Sequence, residues 1–223
     1  MKILYIIKSC DSFYGNRVFY QKKTWLKKLN SLSDYIVITS SLVGEDTYNC
    51  FCEDGYFSTA EKVKNYIKNN NFDDYDWYFL IDDDVFVFPE RLENYINNNK
   101  FESNSSVIIG NLNCFFREMN EDIFCGGAGI ILSKKTINLI KEQIIKDDTQ
   151  CGYACDDCCL FCLSNKLNLT IVNNSPGNSS NGVFIPTYYK ESSELIEKID
   201  RCVILHQIKT EQDYKELFEK FYE

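Results

Sequence analysis

Apolar residues along this chain fall into two alternating rhythms. Short unbroken runs at Ile3–Ile7, Tyr35–Thr39, Trp77–Ile81 and Val107–Ile109 have the length and content of strands buried on both faces. Between them, apolar positions recur at helical spacing. Val18, Trp25, Leu26 and Leu29 share one face, and so do Ala60, Val63 and Ile67. Ile137, Ile140 and Ile144 follow Ser133, a residue suited to an N-cap. Near the end, Thr210 and Asp213 form a capping-box pattern ahead of a stripe of Tyr214, Leu217, Phe218 and Phe221. Such alternation predicts an α/β fold with a mixed, mostly parallel sheet, whose ligands sit at the carboxyl ends of the strands. Asn69–Asn71 and Asn97–Asn99 read as loops after helices, and the Asn-, Ser- and Gly-rich stretch from Asn173 to Gly182 as the most mobile loop. No Pro/Gly linker or repeat interrupts the pattern.

Length and charge narrow this picture. A chain of 223 residues predicts a single domain spanning 1–223. The net charge of −9 argues against a nucleic-acid groove, which needs a basic excess. One nucleotide diphosphate stays compatible with it, because a bound divalent cation supplies local positive charge. No apolar run reaches the ~18–20 residues needed to span a bilayer, and Ile3–Ile7 is too short for the core of a signal peptide. The expectation is a soluble, cytoplasmic protein. Eleven cysteines is a high and odd count, unlike a secreted disulfide scaffold. Cys155, Cys158, Cys159 and Cys162 crowd one predicted helix, which leaves two readings: a zinc cluster, or reduced thiols packing as small apolar residues.

The candidate chemistry begins where the run Trp77–Ile81 meets Asp82, Asp83 and Asp84. Three adjacent carboxylates at the edge of a core repel one another and are costly to desolvate, and a cation removes that cost. In an extended chain, residues two apart point the same way, so Asp82 and Asp84 face one site and Asp83 turns away. Oxygen ligands of this kind suit Mg²⁺ or Mn²⁺; a solvated acidic turn is the competing reading. His206, the only histidine, lies in the apolar run Cys202–Ile208 and is either a transition-metal ligand or a hydrogen-bonded core residue. Gly126, Gly127 and Gly129 precede a strand and a capped helix, where small residues allow close approach of a ligand or tight packing. Asp156 and Asp157 open a helix; they complement its dipole or supply a general base.

Taken in order, these segments resemble the fringe-like β1,3-glycosyltransferases, the family of Fringe and of the core 1 β1,3-galactosyltransferases. The likeness starts at Ile3-Leu4-Tyr5-Ile6-Ile7-Lys8-Ser9-Cys10 and continues through Arg17 with Thr24-Trp25. It then takes in Asp76-Trp77-Tyr78-Phe79-Leu80-Ile81-Asp82-Asp83-Asp84, Gly126-Gly127-Ala128-Gly129, Asp156-Asp157 and Ile204-Leu205-His206-Gln207. The resemblance implies a GT-A fold, with a Rossmann-like nucleotide-sugar half over about 1–110 and an acceptor and catalytic half over about 111–223. It implies Mn²⁺ or Mg²⁺, a UDP-sugar donor, a glycan or glycoprotein acceptor, and inversion at the anomeric carbon.

Carried over by position, Asp84 is the direct metal ligand, Asp82 holds ribose or assists the metal, and His206 matches the late metal-binding histidine. Asp157, ahead of Asp156, is the base. Lys8, Ser9, Arg17, Asp83, Gly126 and Gly127 belong with the nucleotide-sugar contacts. Likeness to the galactosyltransferases points to galactose, although the residues themselves do not separate it from N-acetylglucosamine. Most relatives carry an amino-terminal Golgi membrane anchor that this sequence lacks, and its segment from Asn173 to Asp200 is short and unlike either subgroup. A non-catalytic glycan-binding relative on the same fold and a sugar-nucleotide hydrolase are the competing classes.

Overall fold

The structure is a computed structural model that describes residues 1–147, 155–175, 183–188 and 199–223. The chain opens with β1 (Ile3–Lys8), four short helical pieces including α1 (Phe19–Lys23), β2 (Asp34–Thr39), β3 (Thr47–Asn49) and α2 (Thr59–Asn69). Next come β4 (Trp77–Asp82), β5 (Val85–Val87), α3 (Pro89–Asn98), β6 (Val107–Gly110), β7 (Cys114–Phe116) and β8 (Glu121–Ile123). β9 (Ile130–Ser133), α4 (Lys134–Lys146), α5 (Asp156–Lys166), β10 (Thr170–Asn173), β11 (Val183–Tyr188), β12 (Cys202–His206) and α6 (Glu211–Tyr222) complete it.

Seven strands form the main sheet in the order β10-β6-β9-β4-β1-β2-β3, and only β9 runs antiparallel to its neighbours. The expected mixed, mostly parallel α/β sheet is therefore present. The pleat sends alternate residues into two cores. Ile3, Tyr5, Ile7, Trp77, Phe79 and Ile81 pack on one face with Trp25, β12 and Tyr214 of α6. Leu4, Ile6, Tyr78 and Leu80 pack on the other against α2, α4 and α5. Each such large apolar side chain contributes about 1.5–3 kcal/mol by leaving water. A second sheet, β11-β12-β5, sits at the carboxyl end of β4.

All four strands read from apolar runs are present, and each is extended by a single residue at most at either end. Ser133 accepts from the Thr136 N–H, and Thr210 from the Asp213 N–H, as their spacings predict. The helix expected through Val18 and Leu29 is instead a π-helical turn Tyr14–Val18, the short α1 and a 3₁₀ turn Trp25–Lys28. Thr24 breaks it at φ −120°, ψ −111°, with its hydroxyl donating back to the Tyr20 carbonyl at 2.7 Å. Val18, Trp25 and Leu26 are nonetheless buried as their spacing requires.

The reading of reduced thiols needs correction. Cys114 is bridged to Cys125 and Cys155 to Cys158, and Cys159 is also disulfide-bonded. Among the described residues, Cys10, Cys50, Cys52 and Cys162 are free thiols. These bridges take up sulfurs that a four-cysteine zinc cluster would need. Residues 176–182 of the stretch expected to be mobile lie outside the described residues. Among the described residues, no helix is long and apolar enough to cross a membrane.

Candidate active site

Lys8 lies opposite Asp82 in the β1–β4 register, so both strands end at one edge of the sheet. β9 runs the other way, with Ile130 opposite Leu80, and thereby brings Gly126–Gly129 from its amino end to that same edge. The chain leaves β4 through Asp83 and Asp84 and enters β5, against which β12 pairs antiparallel with His206 opposite Val85. The Ile208 N–H donates to the Asp84 carbonyl at 2.8 Å, and Gln207 takes the left-handed φ of 66° between them.

The triplet is divided as expected, with Asp82 ending β4 and Asp83 and Asp84 in the turn that follows it. A ligand atom from each of Asp82, Asp84 and His206 lies within 4.8 Å of the others. His206 Nε2 stands 3.2 Å from Asp84 Oδ1 and 3.9 Å from Asp82 Oδ2. Asp83 turns away and accepts from Ser9 Oγ at 2.7 Å and Arg17 Nη1 at 2.9 Å. Burial pushes the Asp84 carboxyl up, but His206, Arg17 and Lys209 outweigh it and hold the group below the usual carboxylate range. Asp83 behaves differently. Burial lifts it to about 6, and its bonds to Arg17 and Ser9 only limit the rise. Two carboxylates, one of them held in its ionised form, and an imidazole converge as oxygen and nitrogen donors, a set that fits Mn²⁺ or Mg²⁺.

The second acidic pair is divided as well. Lys8, 5 % exposed, donates through Nζ to Asp156 Oδ2 at 2.7 Å and pairs with Asp82 Oδ1 at 2.9 Å. Burial alone would lower the Lys8 pKa, yet Asp156 and Asp82 outweigh it and keep the ammonium charged. Among the described residues Asp157 has no such partner; it accepts from the backbone N–H groups of Cys158 at 2.8 Å and Gly126 at 3.3 Å. Burial, and then the charge of Asp156, raise the Asp157 pKa against the opposing pull of Lys8 and those N–H groups. Space is short at both glycines, most of all at Gly127. A Cβ on Gly127 would overlap the His206 ring, and one on Gly126 would come 3.1 Å from Asp157 Oδ2.

One cleft of about 440 Å³ is lined by every residue named from sequence: Lys8, Ser9, Arg17, Asp82, Asp83, Asp84, Gly126, Gly127, Asp156, Asp157 and His206. Sequence reasoning missed Phe13, Thr59, Lys62 and Lys209, which line it too. Arg17 lies over the Phe13 ring, 3.8 Å from its centroid. Lys62, 1 % exposed, donates to the Ser9 carbonyl and to Asp54, both at 2.8 Å. Lys209 Nζ is 3.8 Å from Asp84 Oδ2. Lys62 sits on the apolar face of α2 and Lys209 in the loop between β12 and α6, and no spacing rule links either to the triplet.

The fold is that of the GT-A glycosyltransferases. A crystal structure described as a glycosyltransferase involved in the glycosylation of the major capsid of PBCV-1 is similar over 98% of this chain and 100% of its own, with TM-score 0.51 and 11% identity. Apo-form GlyE, a glycosyltransferase of Streptococcus pneumoniae TIGR4, is similar over 93% of this chain and 55% of its own, with TM-score 0.54 and 11% identity. At such identity the likeness is one of fold. A family model described as Fringe-like matches residues 1–176, and the chain belongs to the Fringe-like family. That membership supports glycosyltransferase activity. The matched range contains the triplet, the glycine turn and the second acidic pair, and ends before His206. No curated protein is matched by sequence.

Proposed function

We propose that this protein is an inverting glycosyltransferase. It moves a hexose or N-acetylhexosamine from a UDP-sugar to a hydroxyl of a glycan or glycoprotein acceptor, in β1,3 linkage. The observation that carries this reading is the convergence of the Asp82–Asp84–His206 cluster and the half-buried Asp157 on one cleft.

Asp82, Asp84 and His206 would hold Mn²⁺ or Mg²⁺, which when bound supplies positive charge to offset that developing on the departing diphosphate. Arg17 and Lys209 flank this cluster and add fixed positive charge on the phosphate side. Lys8 ties Asp82 to Asp156, so one ammonium holds both the donor side and the acceptor side in register. Asp156 is committed to that ion pair, and Asp157 is left to act as the base. The acceptor oxygen bonds to the anomeric carbon from the face opposite UDP, the bond from that carbon to the phosphate oxygen breaks, and Asp157 takes the hydroxyl proton. The Gly126 and Cys158 N–H groups hold its carboxylate during the transfer.

A UDP-release screen across UDP-sugars with Mn²⁺ and glycan acceptors tests the reaction and identifies the donor. Asp84→Ala is expected to abolish transfer together with metal-dependent UDP binding; unchanged turnover would sink the metal assignment. Asp157→Asn should retain UDP binding and slow transfer by ~10²–10⁴-fold, the usual size of a general-base contribution. If Asp156→Asn alone has that effect, the base is Asp156. Release of free sugar, with no glycoside formed, would make the protein a hydrolase.

A further inference from the structure

Cys155 and Cys158 bracket the acidic pair in a Cys-x-x-Cys arrangement. Cys155 is the N-cap residue of α5, its side chain makes no capping hydrogen bond, and it lines the cleft. Cys158 is 1 % exposed beneath it. Their sulfurs are joined, and both lie within 4.8 Å of a carboxylate oxygen of Asp157 and of each other. All three donors belong to the cap and first turn of α5, where the positive end of the helix favours anionic ligands. Two thiolates and a carboxylate are a donor set for zinc, whose remaining coordination position would open on the cleft.

We propose that the Cys155–Cys158 bridge gates a second metal site, which takes a thiophilic divalent cation of the zinc class once the bridge is opened. A dithiol reductant opens it by exchange. The sulfur–sulfur bond breaks, two electrons and two protons pass to the cysteine sulfurs, and the reductant leaves as its own disulfide. The cation then displaces the two thiol protons and binds both sulfurs and the Asp157 carboxylate. Mn²⁺ and Mg²⁺ are poor partners for thiolate, so the sulfur pair takes the zinc-class ion alone, whereas the Asp82–Asp84–His206 cluster accepts either kind. The consequence for catalysis rests on the proposed role of Asp157. A carboxylate held by a cation cannot accept a proton, and with Mn²⁺ saturating the Asp82–Asp84–His206 cluster the reduced, zinc-loaded protein is inactive while the oxidised protein keeps its activity.

Cobalt(II) is the probe, because thiolate ligation gives it a sulfur-to-metal charge-transfer band. Titration of the full reduced chain should produce that band at one equivalent, with displacement by Zn²⁺; the oxidised chain should lack it. Cobalt at the Asp82–Asp84–His206 cluster has no sulfur ligand and stays silent. The double variant Cys155→Ser, Cys158→Ser should lose the band while keeping the remaining cysteines, Cys159 included. Cys155→Ser, a change at a half-exposed position, gives the same reading should the double variant misfold. Asp157→Asn should retain sulfur ligation but weaken it by at least ~10-fold, a loss seen even for outer-shell partners. A reduced chain without the band, or a band of equal strength in the serine variants, overturns the site. The spectra need neither donor nor acceptor, so they stand apart from the success or failure of the transferase reading. Full transfer by the reduced chain with saturating zinc would overturn only the inhibition.

Discussion

Asp156 and Asp157 are adjacent in sequence and separated in chemistry by one contact, the 2.7 Å bond from Lys8 to Asp156. Because burial and Asp156 raise the Asp157 pKa, a base at this position must lose its proton at higher pH than an ordinary carboxyl. The acid limb of kcat/KM should therefore lie above the usual carboxylate range and vanish, with the activity, in Asp157→Asn; a pH–rate profile checks this. Asp83 gives a stability prediction of known sign. Its pKa rises from 3.8 to about 6 on folding, so between those values the folded state binds the extra proton. The stabilisation from this group is complete below the unfolded value and is lost as pH rises through about 6. In urea titrations without metal, the stability of Asp83→Asn relative to the parent should increase from pH 4 to pH 7, the window set by that shift. A constant difference would contradict the assignment. The residue types at these positions were legible from sequence, since three carboxylates beside an apolar strand need an explanation. The partner of each carboxylate was not, because Lys8 and Asp156 lie 148 residues apart.

At the scale of elements, the site depends on an antiparallel strand in a mostly parallel sheet. β9 carries its preceding turn to the carboxyl edge, and β12 pairs with β5 to set His206 beside Asp84. Gly127 is where these two elements touch, and Gly127→Ala must push the His206 ring aside. The expected result is a loss of Mn²⁺ affinity by at least ~10-fold, the range for disturbed metal ligation, with native circular dichroism; calorimetric titration measures it. Unbroken apolar runs and capped helices were readable locally because buried strands and amphipathic helices impose their own periods. Short β5 and the β7–β8 hairpin carry little periodic signal, and the break at Thr24 depends on a hydroxyl bonding backward along the chain.

Across the whole molecule, α6 reaches back to the triplet. The Tyr214 hydroxyl donates to the Val85 carbonyl at 2.9 Å, lies 3.2 Å from that of Asp83, and accepts from Gln21 at 3.3 Å. Tyr214→Phe takes the donor from the buried Asp83 carbonyl, while the Val85 carbonyl keeps Trp25 Nε1 and Gln21 Nε2, and is expected to cost about 1–3 kcal/mol, measurable by urea denaturation. Metal affinity should fall with it if this hydroxyl sets the backbone beneath Asp84.

Sequence by itself determined the α/β class, the strands that form the middle of the sheet and the identity of the acidic, glycine and histidine residues that meet in the cleft. Those features follow from local periodicity and from the cost of placing charge beside a core, both of which act over a few residues. Tertiary structure decided which carboxylate faces which partner. It turned Asp83 to Ser9 and Arg17, bound Asp156 to Lys8, set Asp157 against the Cys158 and Gly126 N–H groups, and closed Cys155 onto Cys158 beside it. Pairing of this kind depends on strand order and register across distant segments, which no local pattern encodes.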